Sequence, residues 1–301
     1  RQTIDVVAQI EVHDEPSLPA LERHLQGFQG LVVDGLIAIG GGSVLDMTKA
    51  LAGLIPAKHP VMTYLEIVGD GRALEQQPFP WIAIPTTAGT GSEATRATVI
   101  TDETQGEKML CLGMGFMPVA ALVDFELTVS LPARTTADTG IDALTHAMEA
   151  YVSKKSNLYT DSQAIQAMGL LAPNLRRAYC DGEDKEAREA MMLGATLAGI
   201  AFSNASVALV HGMSRPIGAF FHVPHGLSNA MLLPSVTEYS ISSAPARYAD
   251  CARAMKVALQ SDSDNIANEK LMIELVAINE ELHVPTPEEF GIDKRAFFDV
   301  Q

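Results

Sequence analysis

The feature that most constrains this 301-residue chain is a single change of texture at Leu131-Pro132. Before it, short apolar runs bounded by Gly and Pro alternate with helical patterns. The expected strands are Val6 to Val12, Leu36 to Gly40, Trp81 to Pro85, Thr98 to Thr101 and Val119 to Asp124. Leu18-Leu21-Leu25-Phe28 and Val44-Leu45-Thr48-Leu51-Ala52 have helical spacing. Strands alternating with helices predict a mainly parallel sheet covered on both faces. Thr101 to Glu107 reads as a hairpin turn. After residue 131 the strand signals stop, and helices are predicted over Thr135 to Val152, Tyr159 to Tyr179, Lys185 to Ala201 and Ile266 to Leu282. The expectation is an α/β dinucleotide-binding domain over residues 1–131 and an all-helical metal and substrate domain over 132–301. A ligand cleft is expected between them.

Charge and cysteine content narrow the partners. A net charge of -16 argues against nucleic acid and anionic membrane surfaces. No apolar run reaches the roughly 20 residues of a membrane helix, and no signal peptide is visible. Cys111, Cys180 and Cys251 are few, odd in number and widely spaced, which fits buried thiols in a reducing cytoplasm.

Two loops carry ligand-binding character. Gly40-Gly41-Gly42-Ser43-Val44-Leu45-Asp46 joins an apolar strand to a helix. Glycines let backbone approach a phosphate, and a helix start offers free N–H groups and the positive dipole end. It is not the Gly-x-Gly-x-x-Gly fingerprint, because Leu45 holds the sixth position, and a plain strand-to-helix turn has the same spacing. Pro85-Thr86-Thr87-Ala88-Gly89-Thr90-Gly91-Ser92-Glu93 also follows a strand and crowds small residues with hydroxyls. A Ser/Thr-rich capping loop would look alike. Two such loops at successive strand ends favour a ligand, because ligands bind at the carboxyl ends of parallel strands.

Asp142 and His146 are four apart on an expected helix, so both face one way. Such a pair is more often a hydrogen-bonded pair than a ligand set. His211, after the apolar helical run Val207 to Val210, and His225, in Pro224-His225-Gly226, add two imidazoles. One carboxylate with three imidazoles suits Fe²⁺ or Zn²⁺ better than Mg²⁺ or Ca²⁺. Four protein ligands could also close a structural site. His13, His24, His59 and His222 lack such partners in sequence, although His222 is near enough to His225 to border a site.

Taken together, Gly40 to Asp46, Pro85 to Glu93, Gly140 to Glu149, His211 to Gly218 and Pro224 to Gly226 resemble the iron-containing (group III) alcohol dehydrogenase family, with its dehydroquinate synthase-like architecture. The likeness is clearest from about Asp34 to about Leu233. It implies that Asp142, His146, His211 and His225 bind Fe²⁺, or in some relatives Zn²⁺. It implies that Gly41, Gly42 and Ser43 cradle the pyrophosphate of NAD or NADP, with Asp46 beside the nicotinamide end. By the same likeness Thr86, Thr87, Thr90 and Lys108 contact the cofactor, and Phe202 lines the substrate pocket. The implied activity is hydride transfer between the cofactor and a small primary alcohol or aldehyde, in a cytoplasmic homodimer. His222 is a candidate proton relay.

The chain departs from the family pattern in places. Arg215 stands where many relatives carry a further histidine, Asp124-Phe125 where Asp-Pro is common, and Glu15-Pro16-Ser17 where Asn-Pro-Ser/Thr is usual. The family's opening strand and helix are not recognisable, and its last helices look cut short at Gln301. Other readings are a glycerol dehydrogenase or maleylacetate reductase of the same superfamily, a metal-dependent hydrolase, or a non-catalytic metal-binding subunit. Hydrolysis would leave both loops without a purpose.

Overall fold

The computed structural model describes residues 4–66, 69–102 and 107–293. The described chain divides into two compact units. One takes in the residues up to Pro85 together with Ser92–Leu122; the other takes Thr86–Gly91 and the residues from Val123 onward.

In the first unit α1 (Leu18–Gly27) starts at Ser17, whose side chain accepts from the Ala20 N–H, and Pro sits in its first turn. A serine cap with proline just inside is a strong helix start. β1 (Leu36–Gly40), β2 (Trp81–Pro85) and β5 (Ala120–Ala121) form a parallel sheet ordered β1-β2-β5. β3 (Ala97–Asp102) and β4 (Glu107–Leu112) form a separate antiparallel pair, with Thr98 opposite Cys111 and Ile100 opposite Met109. Most of the expected turn between them, residues 103–106, lies outside the described residues.

The helix α2 (Gly42–Leu54) holds the unit together. Leu45 and Ala52 pack with Ala38, Trp81 and Ala83 of the sheet. Met47, Ala50, Leu51 and Leu54 pack with Leu21, Ile100 and Met109. A helix with apolar residues all round is a buried one.

Two expectations fail here. Val6 to Val12 forms no strand: Val6 is 71% exposed and Val7 50%, and an alternating run has no strand without a neighbour to hydrogen-bond. The parallel sheet is covered on one face only among the described residues. Ile37 (49% exposed) and Ile39 (62%) point to the open side, while Ala38 faces α2.

The second unit is helical. After a 3-10 turn at Phe125–Thr128, capped by the Asp124 carboxylate, come α3 (Ala133–Val152), α4 (Leu158–Cys180), α5 (Lys185–Ala205), α6 (Leu209–Phe221), α7 (His225–Ile241), α8 (Pro245–Ala254) and α9 (Asp264–Glu281). α3 is buried continuously from Gly140 to Tyr151 and packs with α4, α5 and α7. An Asn157 capping box opens α4. No single described helix is long and apolar enough to cross a membrane. Cys111 and Cys251 are buried as expected, but Cys180, at the polar end of α4, is exposed.

The run Val207 to Val210 is not a helix ahead of His211. α6 begins at Leu209, with Ala208 as its cap, which puts His211 in the first turn. Val207 lies just past the break that Ser206 makes with its positive φ of 76°, still outside the helix. Pro224-His225-Gly226 is likewise a helix start, with Pro224 capping and His225 first in α7.

Candidate metal centre and phosphate-binding turn

α3 sets out Asp142 and His146 one turn apart on one face, and α6 and α7 bring their first turns to the same place. A Cβ at Gly226 would lie 2.5 Å from the Asp138 carbonyl oxygen and 3.4 Å from the Asp142 Cβ. Only glycine lets the start of α7 approach α3 so closely, and that approach delivers His225.

The ligating atoms of Asp142, His146, His211 and His225 all lie within 4.8 Å of one another. From Asp142 Oδ1 the distances are 3.9 Å to His146 Nε2, 3.6 Å to His211 Nε2 and 3.7 Å to His225 Nε2. Ligands 2.1 Å from a tetrahedral ion stand about 3.4 Å apart, so a small contraction closes the set on one cation. Three imidazoles and one carboxylate are the donors Fe²⁺ or Zn²⁺ takes. Two buried polar atoms here, His146 Nδ1 and Asn229 Oδ1, have no hydrogen-bond partner of normal geometry among the described residues. A bound group that reorders the side chains would account for their cost.

Burial and mutual contact shift the titration of these groups in opposite directions. Burial opposes charge on Asp142, but the His146, His225 and His211 imidazoles outweigh it and hold the carboxyl far below its usual range. Burial, with the neighbouring His211, pushes His146 down to about 4. Burial also opposes charge on His211, yet hydrogen bonds to Asp142 and Glu149 lift it to about 9. Near neutral pH the Asp142 carboxylate is charged and the His146 imidazole neutral, while His211 holds a proton that a bound cation would displace from Nε2.

Two residues of this centre escaped the sequence reading. Glu149 accepts from the backbone of the first α6 turn and faces His211 Nδ1 at 2.7 Å. The signal was its place seven residues after Asp142, on the same helical face. Asn229, fully buried one turn after His225, points Nδ2 at Asp142 Oδ1 (2.7 Å), His211 Nε2 (3.1 Å) and His225 Nε2 (3.3 Å). Phe202, which was expected, stacks on the His146 ring with centroids 4.2 Å apart. His222 is the exposed, left-handed residue ending α6, outside the four-residue group. Arg215 is half-buried and makes no ion pair among the described residues; burial lowers its pKa, against the pull of Glu149. A nearby apolar cavity of about 580 Å³, lined by Leu209, Met213, Met231 and Tyr239 among others, includes none of the four ligand residues.

In the first unit, Gly41 caps α2 and has no side chain to take the N–H groups of the first turn, which Gly42 and Ser43 begin. That leaves an anion-ready helix start. Asp46, in the next turn, gives its carboxylate to Ser92 Oγ (2.6 Å) and the Val99 N–H (3.0 Å). Lys108 pairs with Glu15 at 2.5 Å. In the second unit, the segment Thr86–Gly91 uses its glycines for packing. A Cβ at Gly89 would meet Thr139 of α3 at 2.5 Å, and one at Gly91, where φ is +60°, would meet Gly199 of α5 at 2.6 Å. Thr86 and Thr87 of this segment are half-buried.

These features define a family. Residues 1–125 match the model for iron-containing alcohol dehydrogenases, and residues 136–297 match the C-terminal model of the Fe-containing alcohol dehydrogenase family. The chain belongs to the iron-containing alcohol dehydrogenase family. It is 43% identical over 249 residues to the probable alcohol dehydrogenase EutG of Escherichia coli, covering 83% of this chain and 62% of that one. It is 37% identical over 270 residues to the lactaldehyde reductase of the same species, covering 90% and 70%. A crystal structure of 1,3-propanediol oxidoreductase superimposes with a TM-score of 0.90 at 33% identity, over 96% of this chain and 76% of that one. The chain thus spans about three-fifths of the EutG length.

Proposed function

We propose that this chain belongs to a metal-dependent oxidoreductase that interconverts a small primary alcohol and its aldehyde with NAD or NADP. The observation that carries the reading is the buried cluster of Asp142, His146, His211 and His225, a donor set for one Fe²⁺ or Zn²⁺. The family membership supports it, and so does the uncapped glycine turn at Gly41, Gly42 and Ser43, suited to a pyrophosphate.

When bound, the cation supplies Lewis acidity toward an alcohol or carbonyl oxygen. Asp142 brings the negative charge that offsets it, from a position 2% exposed. Phe202, stacked on His146, fixes that ring and keeps water off its face. The His225 side chain, 31% exposed against 5% or less for the other three, marks the side from which a substrate oxygen enters. Asp46, Thr86, Thr87, Thr90 and Lys108 are the further proposed cofactor contacts, and His222 the proposed proton relay. The proposed domains are residues 1–131 for the cofactor and 132–301 for metal and substrate. The proposed assembly is a cytoplasmic homodimer.

The test is turnover. The chain, loaded anaerobically with Fe²⁺ or Zn²⁺, is followed for NADH and NADPH oxidation with short aldehydes, beside an Asp142→Ala His146→Ala variant. Metal-dependent turnover that the variant lacks supports the proposal. Tight binding of metal and cofactor without turnover overturns it in favour of a non-catalytic subunit.

A further inference from the structure

Asp142, His146 and Glu149 occupy positions i, i+4 and i+7 of α3, so the helix that supplies two metal-site residues turns a third carboxylate the same way. Glu149 is 4% exposed. Its Oε1 accepts from the Val210 N–H at 2.6 Å, and its Oε2 from the Ala208 N–H at 2.9 Å and the His211 N–H at 3.4 Å. The same Oε2 faces His211 Nδ1 at 2.7 Å. The start of α6 has no side-chain cap of its own. Glu149 therefore fills the open helix start from another helix, and the peptide dipole stabilises its buried charge.

An ionised carboxylate only accepts hydrogen bonds, so the ring nitrogen facing it must carry the proton. A neutral imidazole then keeps its lone pair on Nε2, the atom that lies 3.6 Å from Asp142 Oδ1. One oxygen holds both the backbone and the ring of His211, and this fixes the direction of the side chain as well as its tautomer.

We propose that Glu149 is the positioning residue of the metal centre: it locks His211 as an Nδ1 donor and presents Nε2 to the cation, coupling ligand geometry to the start of α6. This rests on the metalloenzyme reading above. Replacing such an outer partner of a metal-bound histidine typically weakens metal binding about 10–100-fold.

The test compares wild type with Glu149→Gln, which keeps the size and an acceptor oxygen but removes the charge. Three quantities are measured on the full chain: Zn²⁺ affinity by chelator competition, the visible spectrum of the Co²⁺-loaded protein, and the hydrogen-bonded imidazole proton in NMR, assigned by its loss in His211→Ala. The expected result is a 10–100-fold weaker affinity, a changed Co²⁺ spectrum, and a His211 proton that disappears or moves upfield. A plain capping role would lower the unfolding temperature of the metal-free protein and leave affinity and spectrum as they were; that outcome overturns the proposal. An unmoved His211 proton overturns it as well. If Glu149→Gln does not fold, Glu149→Asp, which retains the charge one methylene further back, must show the same changes in smaller degree. If wild type binds no cation, the functional reading falls, and the NMR proton alone decides whether Glu149 locks the ring.

Discussion

Lys49 in the first unit and Asp142 in the second are both charged groups cut off from water, at 0% and 2% exposure, but their surroundings are opposite. The Lys49 ammonium has three donors, and each has an acceptor: Ser92 Oγ at 2.8 Å, Thr95 Oγ1 at 2.6 Å and the Ala97 carbonyl at 2.8 Å. Asp46, 3.8 Å away, gives its carboxylate oxygens to Ser92 and Val99. That knot is closed, and it ties α2 to β3. Around Asp142 the acceptors outnumber the donors. Two imidazole nitrogens, His211 Nε2 and His225 Nε2, and the Asp142 Oδ1 oxygen compete for the two N–H groups of Asn229, while Asn229 Oδ1 and His146 Nδ1 have no hydrogen-bond partner of normal geometry among the described residues. A satisfied buried charge is a brace; a convergent set of lone pairs awaits a cation.

The difference can be broken from either side. The largest effect is expected from Lys49→Met, which leaves Asp46 and three acceptors without their cation. Breaking a buried pair by removing one partner costs about 3–5 kcal/mol. Chemical unfolding should show that loss, while Zn²⁺ affinity of the folded variant stays at the wild-type value. A variant that loses metal as well would show that the knot is not merely a brace.

Gly226→Ala probes the other side. Its Cβ would press on the Asp138 carbonyl oxygen, and overpacking of this kind costs about 1–3 kcal/mol. Because the clash falls where α7 meets α3, metal affinity should drop along with stability. Equal affinity in chelator competition would mean that His225 is placed by something other than this approach.

The smallest effect is a pH slope. Burial pushes the Lys49 ammonium down to about 8, against the opposing pull of Asp46 and Glu93. The unfolded chain binds this proton up to its ordinary pKa of about 10.4. Between those values the unfolded state holds more protons, so this group makes stability rise with pH across that window. Below about 8 both states hold the proton and the group contributes no slope. Urea unfolding of the metal-free protein should show the rise in wild type and not in Lys49→Met; equal slopes would place the effect elsewhere.

Much of the fold was legible in the residues. The helical periodicities of α1, α2, α3, α4, α5 and α9 are one-dimensional patterns, and so are the apolar runs of β1 and β2, because local spacing selects the face that is buried. α6, α7 and α8 were not read as helices. Pro216 and Pro234 lie inside the first two, and α8 opens on Pro245 after a weakly apolar stretch. Val6 to Val12 had the alternation of a strand and no neighbour to pair with.

The sequence by itself determined the family, the order of an α/β half before a helical half, and the four residues with metal-donor chemistry. The order of the halves and the donor chemistry follow from residue type and short-range spacing; the family follows from the resemblance of whole motifs. The tertiary structure decided which groups stand around those four. Glu149 meets His211 across 62 positions, Asn229 meets Asp142 across 87, and Lys49 meets Thr95 across 46. Such partners are chosen by the packing of whole helices, down to the single missing Cβ at Gly226, and no local pattern encodes a distance between elements so far apart in the chain.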